Sequence, residues 1–264
     1  MSKHQYIRKP GTAGFVRCGK HRLLYASLAL CVFSVSLTGL AQRVDGESVA
    51  QVRNRAKAAA EAMRAGDTLL RGGHIAGACK AYRKTLDLLP SWWLPHLALV
   101  RCGRLLGESP ASLLEHARYA ARARPKIPAT HLQLALTLEE TGKTREAIDA
   151  LKAALTLRPD FFEAGYRLGM LYAKHGKHTE AIQHLNDTIM AYPGHVVSLN
   201  TLAELHLRKG HVDAALSTLR QLLLHSHYPS QVMGRIGSVL RQHGRTAELS
   251  KLQSEWRRRF VSRK

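Results

Sequence analysis

The sequence predicts an all-α chain, a solenoid of about six helical hairpins preceded by an N-terminal apolar helix. Three observations predict it: glycines recur at a fixed period, prolines follow them at half a period, and the first 41 residues differ in composition from everything after them. The body is rich in Ala, Leu and Arg, the residues that cost least in a helix, and has only nine prolines over its whole length.

The period comes from Gly73, Gly107, Gly142, Gly176, Gly210 and Gly244, spaced 34, 35, 34, 34 and 34 residues apart. A glycine can take the left-handed conformation that closes one helix and lets the chain turn. Behind them run Pro90, Pro125, Pro159 and Pro193; in the fifth unit His227 holds the slot and Pro229 follows. Proline ends the second helix because it lacks an amide hydrogen and disfavours helical geometry before it. A third series, Ala78, Leu113, Ala147, Ala181, Ala215 and Leu249, faces Gly66, Val100, Ala135, Gly169, Ala203 and Gly237, so small residues are expected against small ones. Leu134, Leu138, Ile148 and Leu151 recur at helical spacing and supply the buried stripe.

Two stretches, LQLALTLEETGKTREAIDALKAALTLRP and YRLGMLYAKHGKHTEAIQHLNDTIMAYP, resemble tetratricopeptide repeats. The resemblance covers residues 59–256, with units near 59–92, 93–127, 128–161, 162–195, 196–229 and 230–256. The second is one residue longer around Ser109 and Pro110, and the sixth departs at Gln253 and Trp256, as a polar terminal cap would. It implies a right-handed superhelix whose first helices line a concave groove that binds a protein or peptide.

Carried onto this chain, the inward positions are Arg64, Asp67 and Arg71, then Arg101 and Arg104, then Leu132, Leu136 and Glu139. They continue through Tyr166, Arg167, Met170 and Lys174, then Asn200, Glu204 and Arg208, to Arg235 and Arg241. The groove is therefore expected to be basic at its N-terminal end and apolar in the middle. A ligand with an acidic segment followed by a hydrophobic anchor would suit it, because Arg grips carboxylates bidentately while Tyr and Met give adaptable apolar area. The Lys, Asn and Arg set with which some relatives grip a C-terminal carboxylate is not reproduced.

Forty Lys and Arg against nineteen Asp and Glu give a formal charge of +21. An acidic polymer in the basic groove, polysaccharide before nucleic acid, is the alternative ligand class, since no stacking aromatic platform accompanies the arginines. No cofactor, metal or catalytic constellation is expected. There is no phosphate-cradling loop or nucleophile elbow, the fifteen histidines lack ligand spacing, and Glu139 and Glu140 point about 100° apart on a helix.

Residues 1–22 carry six basic and no acidic residues, and residues 23–41 are nineteen uncharged ones. The pattern reads as a cytoplasmic leader and a signal peptide or single transmembrane anchor, with 42–58 as a connecting helix or linker and the repeats exported. Cleavage after Ala41 would leave a secreted or periplasmic protein; retention would leave it membrane-anchored. Without residues 1–41 the chain keeps 34 basic and 19 acidic residues, a charge of +15. The basic tail 257–264 follows Trp256, which with Phe260 suits either a capping helix or a face on an anionic membrane; the cap is preferred. Cys79 and Cys102 fall in neighbouring helical segments and read as two independently packed thiols, although an oxidising compartment would permit a bridge. Together these features predict a non-catalytic scaffold that assembles proteins at the cell envelope.

Overall fold

The computed structural model describes residues 48–227 and 229–258. Contacts divide the chain after Gln51, and the architecture below is that of the second unit. The leader, the apolar segment 23–41 and the end of the basic tail lie outside the described residues. Among those described, no helix is long and apolar enough to cross a membrane.

Twelve helices and no strand make up the described chain. They pair as α1 (Val49–Arg71) with α2 (Ile75–Leu88), α3 (Trp93–Leu106) with α4 (Pro110–Ala123), and α5 (Pro128–Glu140) with α6 (Thr144–Leu157). The remaining pairs are α7 (Phe162–Lys174) with α8 (His178–Ala191), α9 (Val196–Arg208) with α10 (Val212–His225), and α11 (Pro229–Gln242) with α12 (Thr246–Trp256). Of the segment 42–58, read as a connecting helix or linker, residues 49–58 belong to α1, and the residues before 48 lie outside the described ones.

Every hairpin closes in the same way. The six period glycines all have positive φ, between 68° and 78°. The amide just after each donates to the carbonyl five residues back, as Lys143 does to Leu138 at 2.8 Å and Arg245 to Leu240 at 2.8 Å. This satisfies a carbonyl that the helix end would otherwise leave without a partner. Glycine is needed there because a side chain at such φ is strained.

Inside the hairpins the expected pairs do approach, a Cβ at Gly169 lying 3.4 Å from the Ala181 carbonyl, but the tightest contacts are with larger side chains. A Cβ at Gly66 would lie 2.5 Å from the Tyr82 ring, and one at Gly169 would lie 2.8 Å from Cγ of Leu185. The glycines make room for a large side chain one turn beyond the small residue opposite, and those large side chains fill the core. Tyr82 and Leu185 are almost wholly buried. Buried Thr85, Thr137, Thr188 and Thr218 each donate to the carbonyl four residues earlier, so these hydroxyls are satisfied inside their own helices.

The core is in two parts. A large cluster runs from Leu114 to Leu249, and a small one gathers Met63, Ala78, Cys79, Tyr82, Leu99 and Cys102. Within the small cluster Cys79 and Cys102 form a disulfide between α2 and α3, with Cα atoms 5.9 Å apart. The expectation of two separate thiols is thereby corrected. Neighbouring helices of adjacent hairpins bring the two Cα atoms within bridging range.

Candidate functional site

First helices pack on one another as well as on their hairpin partners, α3 against α5 and α7 against α9. No pair of successive second helices does so to the same extent among the described residues. The first helices therefore lie on the inside of the curve, and their free faces form the candidate site.

The predicted groove residues divide into those the fold uses and those it leaves open. Leu132 and Leu136 are only 2% and 9% exposed, so both are core residues with little surface for a ligand. Arg104 is held by the next hairpin: its guanidinium donates to Gln133 and Thr137, each at 2.9 Å, and pairs with Glu140 at 2.7 Å. Arg64 and Arg71 are exposed on α1, where each Nε donates to a carbonyl of its own helix, and Asp67 accepts from the Tyr82 hydroxyl at 2.9 Å. Arg101 is exposed and Glu139 half-buried.

The open part lies on α7, α9 and α11. Tyr166 and Met170 are partly exposed; Met170 Sδ accepts from Thr201 Oγ1 at 3.5 Å, and Arg167 reaches over the Tyr166 ring at 5.9 Å. Lys174, Arg208 and Arg241 are exposed and form no ion pair among the described residues. Asn200 donates to Glu204 at 3.1 Å and accepts from Arg235, whose guanidinium also lies 3.6 Å from Glu204.

Two features beside this wall escaped the sequence reading. A cavity of about 270 Å³ lies between α9, the end of α10 and the start of α11. Val196, Val197, Leu222 and Val232 line its apolar side, and Asn200, Gln231 and Arg235 line its polar side. Val197 is 48% exposed. Next to it, His195 contacts Tyr166, Phe162 and Tyr192, with ring centroids 4.9, 5.7 and 6.0 Å away. The sequence signal was the cluster of aromatic and β-branched residues at the starts of α7 and α9, just before the positions taken as inward-facing.

Burial pushes His195 below the usual imidazole range, against a smaller upward pull from Glu163. His116 is lowered by burial and then by His96 and Arg83. His96 Nε2–H donates to the Pro90 carbonyl at 2.9 Å, which leaves its Nδ1 to accept from His116 Nδ1–H at 2.7 Å. These histidines serve packing. Among the described residues no three His, Cys, Asp or Glu side chains are grouped so as to hold a metal.

Models of the tetratricopeptide repeat match residues 132–196 and 173–227. Over residues 132–227 the chain is thus similar to tetratricopeptide repeats. Solved structures extend the likeness in fold over more of the array. A protein solved as MamA has TM-score 0.59 and 24% identity, covering 66% of this chain and 95% of that one. Pseudomonas aeruginosa pilF has TM-score 0.63 and 18% identity, covering 79% of this chain and 94% of that one. YrrB, described as a tetratricopeptide protein with an unusual peptide-binding site, has TM-score 0.57 and 19% identity, covering 70% and 95%. No curated protein matches the chain. The tetratricopeptide fold implies a scaffold for protein–protein interaction.

Proposed function

We propose that the chain is a non-catalytic adaptor whose inner wall on α7, α9 and α11 binds an extended protein segment and assembles proteins at the cell envelope. One observation carries the reading. Tyr166, Met170 and Val197 share α7 and α9 with the cations Arg167, Lys174 and Arg208, none of which is in an ion pair among the described residues. A partner segment with a large apolar side chain for the cavity of about 270 Å³, flanked by carboxylates, is complementary to that wall. The basic leader and apolar segment 1–41 support an envelope location with the array exported, held by residues 23–41 or released by cleavage after Ala41. Removal of the +15 field from the groove argument leaves the peptide reading intact, because the apolar contacts remain.

The test is purification of the tagged full chain from its native envelope at low and high salt, beside the variant Val197→Asp. A defined partner set retained by the wild-type chain and lost with V197D is expected. Recovery of the same proteins with both chains would refute the reading.

A further inference from the structure

From the third hairpin to the fifth, exposed large apolar groups stand on one rim of the array only. Where one hairpin hands over to the next, these are Leu157, Phe162, Met190, Tyr192, Val197 and Leu224, and the exposed cations Arg124, Lys126 and Arg158 stand at hand-overs too. At the opposite rim, formed by the turns inside the hairpins, the exposed groups are Lys143, Arg145, Lys177 and Lys209, with Lys174 and Arg208 where rim meets groove. None of these cations is in an ion pair among the described residues.

Carboxylates near the same turns are largely taken. Arg104 holds Glu140 at 2.7 Å and Arg118 holds Glu146 at 3.0 Å. Arg245 pairs with Asp213, and both Arg220 and Arg245 pair with Glu248. Glu139 and Glu180 are the ones outside any ion pair among the described residues. Lys209 donates to Thr179 Oγ1 at 2.7 Å and Lys177 lies over the Tyr172 ring, while the other rim cations are left facing solvent.

Helix physics explains only some of them. Lys174 and Arg208 sit in the last turns of α7 and α9, where a cation suits the negative end of the dipole. Lys143 and Lys177 sit at the other kind of end. They are the N-cap residues of α6 and α8, they make no side-chain cap hydrogen bond, and Arg145 follows in the first turn of α6. Asp, Asn, Ser or Thr would stabilise those ends, and a cation opposes the dipole. Glu146 and Glu180 in the same first turns answer the dipole, so the two lysines are not needed by it, and their repetition in successive hairpins points to a ligand outside the array.

The geometry also selects the ligand. Equivalent turn positions lie about 10 Å apart, the spacing of packed helices. An extended polypeptide advances roughly 3.3 Å per residue, so every third side chain meets the next turn. A flexible chain can follow a curved rim. The Tyr172 ring, 5.8 Å from the Lys177 ammonium, is buried and offers no platform for stacking bases. We propose that this rim is a docking track for a flexible protein segment rich in Asp and Glu, separate from the groove and independent of its occupant.

The test uses the full chain and fluorescently labelled poly-L-glutamate, read by anisotropy at 50 mM and 300 mM salt. The rim variant K143Q/K177Q/K209Q should bind at least tenfold more weakly than the wild-type chain at 50 mM salt. The variant R122Q/R124Q/K126Q removes the same charge from the opposite rim and should change binding less than twofold. K143D/K177D should also lose binding while its urea midpoint stays level or rises, which separates loss of the track from loss of the fold. Equal weakening by the two triple variants would mean that net charge alone acts, and would overturn the proposal. So would absence of binding by the wild-type chain at 50 mM salt, or tighter binding of a single-stranded oligonucleotide of equal charge.

Discussion

Loss of the Cys79–Cys102 bridge should loosen one end of the array and leave the other almost untouched. The bridge spans 23 residues and joins α2 to α3 inside the small N-terminal cluster, which is separate from the large one. Chain entropy for a closed loop of that length gives about 3.4 kcal/mol at 25 °C. In a repeat array each hairpin contacts only its neighbours, so the loss falls on the first two hairpins. The tryptophans make this measurable, because Trp92 packs on the small cluster and Trp256 on the large one. Urea unfolding would be followed by fluorescence in W256F, which reports the N-terminal end, and in W92F/W93F, which reports the C-terminal end. Each would be measured oxidised, reduced, and with Cys79→Ala and Cys102→Ala. The reduced chain keeps its sulfur atoms in the core, so its difference from the double alanine variant isolates lost packing from the lost cross-link. The N-terminal probe should lose about 3.4 kcal/mol on reduction and the C-terminal probe under ~1 kcal/mol. Equal losses at both ends, or an N-terminal loss below ~1 kcal/mol, would refute both the magnitude and the picture of an independent N-terminal core.

Other predictions follow the same physics. Gly169→Ala would place a methyl 2.8 Å from Leu185 Cγ and should destabilise by about 1–3 kcal/mol, read as a lower urea midpoint. Lys177→Asp puts an anion at the N-cap of α8 and should stabilise by about 0.5–1 kcal/mol at low salt, with the gain shrinking as salt rises; a midpoint below that of the wild-type chain would contradict the dipole argument. His116 and His184 are lowered from 6.5, chiefly by burial, so the unfolded chain binds more protons at acid pH. Their contribution is full above pH 6.5 and declines as pH falls below it, and His116→Gln should flatten a plot of unfolding free energy against pH there.

The legible part of the fold was what each hairpin states locally. Gly142 and Gly176 need a left-handed turn and Pro159 and Pro193 end a helix whatever lies beside them, so punctuation alone reveals the period. Features that depend on how neighbouring hairpins twist against one another were not legible. The approach of Cys79 to Cys102 is set by the crossing of α2 and α3. Leu132 and Leu136 occupy inward positions of α5 yet are covered, and Arg104, equally inward, is bound by the next hairpin. The cavity beside Val197 needs three helix ends at once, two of them more than twenty residues from Val197 in sequence. Contacts inside the hairpins failed to show for a different reason: the period-finding residues mark where helices approach, whereas Tyr82 and Leu185 decide how.

That last pairing bears on how such a chain avoids misassembly. Hairpins built on one plan, closed by near-identical turns, invite a refolding chain to mate a first helix with the wrong second helix. Space opposite Tyr82 exists because position 66 is glycine; the equivalent positions in α5 and α9 are Ala135 and Ala203, whose methyl groups would occupy the volume of the ring. The helix that carries Tyr82 therefore meets a steric clash against α5 or α9, while α1 leaves room for the ring. The variation among repeats that looks like drift in the sequence thus narrows the set of helices that can mate with one another.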